Sequence, residues 1–62
     1  MTMSYTRLVN LIWRWKQIRE DIEYMEVFTI GDLDRKLEIL NKIDKLIQYL
    51  EKLKEEYHRQ GD

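Results

Sequence analysis

The chain has 62 residues, of which 44 % are apolar and 37 % are charged, with 11 basic and 12 acidic side chains. It has no Cys, which excludes disulfides and thiolate metal sites, and its apolar fraction is too high for an intrinsically disordered chain. Its apolar runs are short and its first ten residues lack the pattern of a secretion signal, so we expect one cytoplasmic domain over residues 1–62 with no membrane span.

The first element is a helix predicted over residues 5–27. Its apolar side chains recur at alternating spacings of three and four residues, which is the a/d pattern of a coiled coil. These residues are Leu8, Leu11, Trp15, Ile18, Ile22 and Met25. Ser4 precedes the pattern and is the expected N-cap, because its hydroxyl can accept a hydrogen bond from a backbone N–H of the first turn.

A turn is expected at residues 28–32. Thr29 and Asp32 have the spacing of a capping box, and Phe28 and Leu33 hold the positions of a hydrophobic staple. Asp32 as the N-cap is the alternative, and it moves the start of the next helix by three residues.

The second helix is predicted over residues 33–58, followed by a frayed end at Gly61 and Asp62. Its apolar residues form two adjacent seams, which together are wider than the stripe of an ordinary surface helix. The first seam is Leu33, Leu37, Leu40, Ile43, Ile47 and Leu50, and the second is Ile39, Leu46, Leu53 and Tyr57. A short connection between two long helices predicts an all-α fold, an antiparallel two-helix hairpin.

The second seam predicts that the hairpin pairs with a copy of itself. Two helices in contact along one seam bury too little apolar surface to offset the conformational entropy lost on folding. We therefore expect a homodimeric four-helix bundle. Its predicted core consists of Leu8, Leu11, Trp15, Ile18, Ile22, Met25, Leu33, Leu37, Leu40, Ile43, Leu46, Ile47, Leu50 and Leu53.

Charge is segregated along the first helix, with a basic N-terminal part and an acidic C-terminal part. Two copies of this helix placed antiparallel would bring Arg14 and Arg19 of one chain near Glu20, Glu23 and Glu26 of the other. An isologous two-fold interface requires this kind of self-complementarity. The order of the four helices around the bundle stays open.

A candidate surface for a second protein lies on the outer side of the first helix. Trp13 points away from the apolar seam, together with Val9 and, farther along, Tyr24. An exposed Trp on a small protein often marks a contact surface. The alternative is that Trp13 and Val9 pack against another helix of the same bundle.

The first helix also interleaves basic and aromatic residues, a combination that can neutralise phosphates and stack on bases. The candidate nucleic-acid contacts are Arg7, Arg14, Lys16 and Arg19. The acidic balance of the whole chain and the absence of a helix-turn-helix pattern argue against this function.

Metal and catalytic chemistry have little support in the sequence, and no cofactor is expected. Glu20, Glu23 and Glu26 repeat every three residues, but a charged solvated face accounts for them, and the only histidine, His58, lies at a helix end. No nucleophile motif or phosphate-binding loop is present. We expect a non-enzymatic adaptor, inhibitor or regulator that binds a macromolecule, with a small nucleic-acid-binding regulator as the alternative.

Overall fold

The computed structural model describes residues 4–60, with the side chains through Arg59. Helix α1 covers Tyr5–Glu23 and helix α2 covers Ile30–Gln60, and the two pack against each other as a hairpin. The predicted all-α hairpin is therefore confirmed. The expected frayed end at Gly61 and Asp62 lies outside the described residues.

Helix α1 begins as the sequence predicts and ends four residues earlier than expected. Ser4 caps its start, since the Ser4 hydroxyl accepts a hydrogen bond from the Arg7 backbone N–H at 3.2 Å. At the other end the Lys36 ammonium group donates to the backbone carbonyls of Glu23 and Met25, at 2.5 and 2.9 Å. The last carbonyls of a helix lack partners within the helix. Lys36 satisfies two carbonyls here, which lets the chain leave the helix after Glu23.

Thr29, and not the alternative Asp32, caps the start of helix α2. The Thr29 side-chain oxygen accepts a hydrogen bond from the Asp32 N–H at 3.0 Å, and the Thr29 carbonyl accepts one from the Leu33 N–H at 3.0 Å. The helix therefore starts at Ile30, three residues before the expected boundary. Phe28 is almost fully exposed and does not pack on Leu33. The expected hydrophobic staple is therefore not formed.

The contact between the helices buries six apolar side chains among the described residues. Four of them come from the first seam of α2, and the other two from α1. They are Leu8, Ile12, Leu40, Ile43, Ile47 and Leu50. Ile12 is absent from the predicted α1 series, which therefore describes only part of the surface that meets α2.

The hairpin is long and thin. Its Cα atoms extend over 50 × 18 × 15 Å with a radius of gyration of 14.7 Å. A compact chain of this length has a radius of gyration of about 10.6 Å. Among the described residues, neither helix combines the length and the apolar character that crossing a membrane requires.

Candidate interaction surfaces

One side of the hairpin is apolar along its length. We call it the side face, and it consists of Leu11 and Ile18 from α1, Met25 just beyond the end of α1, and Ile39, Leu46 and Leu53 from α2. Leu11, Leu46 and Leu53 are half-buried, packed against the core, whereas Ile18, Met25 and Ile39 are exposed. Ile39, Leu46 and Leu53 are spaced by seven residues and lie on one line along α2, as do Leu11 and Ile18 along α1. Met25 follows Ile18 by the same interval, after α1 has ended.

The opposite side of the hairpin carries charges that pair across the two helices, together with the exposed Leu33 and Leu37 near the turn. Lys16 lies 2.9 Å from Glu51, and Arg19 bridges Asp44 of α2 and Glu23 of its own helix. The hydrogen bond to Asp44 raises the pKa of the Arg19 guanidinium above its ordinary value, and the charges of Asp44 and Glu23 add to this effect. Because these pairs are partially exposed, they contribute little to stability.

The predicted dimer core is divided between different surfaces. Its remaining α1 members, Trp15 and Ile22, are half-buried between the core and the side face. Leu33 and Leu37 are exposed, and Leu37 lies about 180° around α2 from Leu46 at 3.6 residues per turn. These two leucines therefore stand apart from the side face.

The outer surface of α1 carries the residues predicted to bind a second protein. Trp13 is 63 % exposed, Tyr24, the residue that caps the end of α1, is 77 % exposed, and Val9 is 36 % exposed. Position 13 lies about 120° around the helix from the midline between Leu8 and Ile12, the two buried residues of α1. Helix α2 therefore leaves the Trp13 side chain uncovered.

The four basic residues of α1 separate into two pairs. Arg7 and Arg14 are exposed and line one shallow groove with Asn10 and Leu11. Lys16 and Arg19 lie on the other side of the helix and hold acidic partners. The structure thus brings together two of the four predicted nucleic-acid contacts.

Metal-ligating side chains do not converge in the described part of the chain. No group of three His, Asp or Glu side chains there is placed to hold a metal ion. Glu23 is engaged by Arg19, and His58 packs against Tyr5 with ring centroids 6.4 Å apart. The Tyr5–His58 contact joins the two helices at the open end of the hairpin.

Two features of the structure could not be predicted from the sequence. Phe28 and Ile30 are strongly exposed at the turn, where a staple was expected to cover Phe28. Lys36 holds the end of α1, a role that depends on how the two helices are rotated relative to each other. The spacing of apolar residues along each helix does not show how the two helices are rotated relative to each other.

No protein-family model matches the chain, and neither the curated proteins nor the solved structures include a significant match.

Proposed function

We propose that the protein is a non-enzymatic interaction protein that works as a homodimeric four-helix bundle. The observation that supports the dimer is the side face, an apolar surface that runs along both helices and has no partner within the hairpin. The outer surface of α1, with Trp13 and Tyr24, would remain free to bind a macromolecular partner.

The surface area of the chain agrees with the area that a dimer would bury. The accessible surface is 5551 Å², whereas a compact monomer of this mass has about 4,370 Å². The excess is about 1,200 Å² per chain, or about 2,400 Å² for two chains, which is within the range of obligate homodimers.

Sedimentation equilibrium over a hundredfold range of concentration tests the dimer. We expect about twice the 7.8 kDa chain mass. A double variant, Ile18→Gln with Ile39→Gln, changes two side-face residues that are 41 % and 46 % exposed. Polar amides there lose their hydration on association, so we expect the dissociation constant to rise at least tenfold.

The matched control is Leu33→Gln with Leu37→Gln. These side chains have similar exposure, 41 % and 54 %, but they lie away from the side face. We expect the control to remain dimeric. A folded monomer at every concentration of the unmodified protein would overturn the proposed assembly, and equal weakening by both double variants would remove the role of the side face.

The partner surface has a separate test. Trp13→Ala with Tyr24→Ala removes the two most exposed aromatic residues of the outer surface of α1. The dimer should persist, and a protein that co-purifies with the unmodified dimer should be lost, because large exposed aromatics dominate binding energy at such contacts. Unchanged co-purification with this variant would exclude the surface.

Nucleic-acid binding is the second candidate, and the exposed pair Arg7 and Arg14 supports it. Binding of a fluorescent oligonucleotide at low salt should then weaken steeply as salt is added. Arg7→Gln with Arg14→Gln should abolish it, whereas Lys16→Gln should have a smaller effect because Lys16 already pairs with Glu51. Absence of binding at low salt would exclude this function.

A further inference from the structure

The side face is built in three layers, each with one residue from α2 and one from α1 or, nearest the turn, from the connection that follows α1. Leu11 and Leu53 form the layer at the open end, where both pack against the buried cluster. Met25 and Ile39 form the layer nearest the turn, where both line one cleft of about 300 Å³. Ile18 lies seven residues from Leu11 on α1, and Leu46 lies seven residues from both Ile39 and Leu53 on α2, so Ile18 and Leu46 form the middle layer. Seven residues along a helix correspond to about 10.5 Å.

We infer that a second copy of the chain covers this face upside down, with the two turns at opposite ends of the bundle. This inference rests on the proposed homodimer and adds its geometry. The two-fold axis passes through the middle layer and sets Ile18 against Ile18 and Leu46 against Leu46. It also sets Leu11 against Met25 of the second copy. Each end layer therefore contacts the opposite end layer of the other copy, and the two middle layers contact each other.

The charge of the two halves of the hairpin selects this orientation. The half that contains the turn, residues 19–45, has eight acidic and five basic side chains and a net charge of −3. The rest of the chain has six basic and four acidic side chains and a net charge of +2. Opposed turns bring each negative half against a positive half. Turns at the same end would bring like charge against like charge, which an isologous interface disfavours.

The edge of the side face on α1 fits the same axis. Arg14 lies four residues before Ile18, and Asp21 lies three residues after it, on the same edge of the helix. The two-fold therefore brings Arg14 of each copy to Asp21 of the other. On α2, Arg35 and Glu56 lie at nearly equal distances on either side of Leu46 and meet in the same way. Oppositely charged residues at the edges of the side face can also be paired when both turns lie at the same end of the bundle. The net charges of the two halves of the hairpin therefore decide between the two orientations.

Spin labels along the outer surface of α1 distinguish the orientations. The chain has no native Cys, so Gln17→Cys, Asn10→Cys and Thr6→Cys each carry one nitroxide at an exposed position on one face of the helix. Their distances from the two-fold centre predict axial separations between the copies of about 3, 24 and 36 Å at 1.5 Å per residue. With the turns at one end, the axial separation is zero at all three positions.

Pulsed dipolar EPR on each dimer measures these distances, with sedimentation equilibrium on the same samples. A distance that grows from Gln17 to Asn10 to Thr6 supports the opposed orientation. A constant short distance in an intact dimer overturns that orientation and leaves the proposed dimer standing. A monomeric mass for the unlabelled chain overturns the proposed assembly itself, and the orientation with it.

Discussion

Lys36 links the end of one helix to the side of the other. Its ammonium group donates to the Glu23 and Met25 carbonyls, while its backbone lies within the second turn of α2. A cation is favourable at this position because the C-terminal end of a helix carries partial negative charge. The same contact holds the connection between the helices close to α2.

Replacing Lys36 with Met should lower the free energy of unfolding by about 1 kcal/mol, because two carbonyl acceptors lose a charged donor. Met keeps the helix propensity and most of the side-chain volume of Lys. Urea denaturation followed by circular dichroism measures the change.

Lys52→Met is the matched control, because Lys52 is exposed and far along α2 from the turn. Its effect should stay within about 0.5 kcal/mol, as is usual for surface substitutions. Equal losses in the two variants would show that the Lys36 hydrogen bonds add nothing to stability.

At the scale of the elements, the positions of both helices could be predicted, but the rotation of α1 could not. The strict heptad series assigns Leu8, Leu11 and Ile18 to a single seam. The structure instead turns Leu8 and Ile12 toward α2 and leaves Ile18 on the side face. Apolar spacing shows that a helix has a wide apolar arc, but it does not show which neighbour covers each part of that arc.

The ends of the helices show the same limit. Ser4 and Thr29 act through residues three positions away, so their caps are visible in the sequence. Lys36 acts over 11 and 13 residues, through a contact that exists only after the helices have docked. Local signals therefore identify the capping residues Ser4 and Thr29, but the predicted start of α2 is three residues late and the end of α1 is not predicted.

The two tryptophans of α1 test its rotation directly. Trp15 packs against the core and Trp13 is exposed on the outer surface. Trp15→Ala should lower the free energy of unfolding by ~2–3 kcal/mol through lost burial, and Trp13→Ala by less than about 0.5 kcal/mol. Chemical denaturation of the two variants at one protein concentration measures both effects. A large loss for Trp13→Ala would mean that another helix covers Trp13, as the alternative interpretation of its position requires.

At the scale of the whole molecule, one surface of the hairpin carries paired charges and another, the side face, exposes apolar side chains to water. The charged surface pairs its own charges across the helices, through Lys16 with Glu51 and Arg19 with Asp44. The side face leaves Ile18, Met25 and Ile39 in contact with solvent. Within residues 4–59 six side chains are buried, which is few for a chain that must order two long helices, so in the proposed dimer the stability of the fold depends on the second copy over the side face.

This dependence predicts a melting temperature that rises with protein concentration. For a dimer that dissociates as it unfolds, a hundredfold increase in concentration stabilises the folded state by about 2.7 kcal/mol through mass action. Two chains have an unfolding entropy of about 0.26 kcal/mol/K, from about 2.1 cal/mol/K per residue. The expected rise is therefore about 10 °C, which thermal melts followed by circular dichroism can resolve.

The Ile18→Gln, Ile39→Gln variant should melt at a lower temperature, and its dimeric control with Leu33→Gln and Leu37→Gln should retain the full dependence. A melting temperature independent of concentration in the unmodified protein would mean that the single hairpin is stable with its side face open to water.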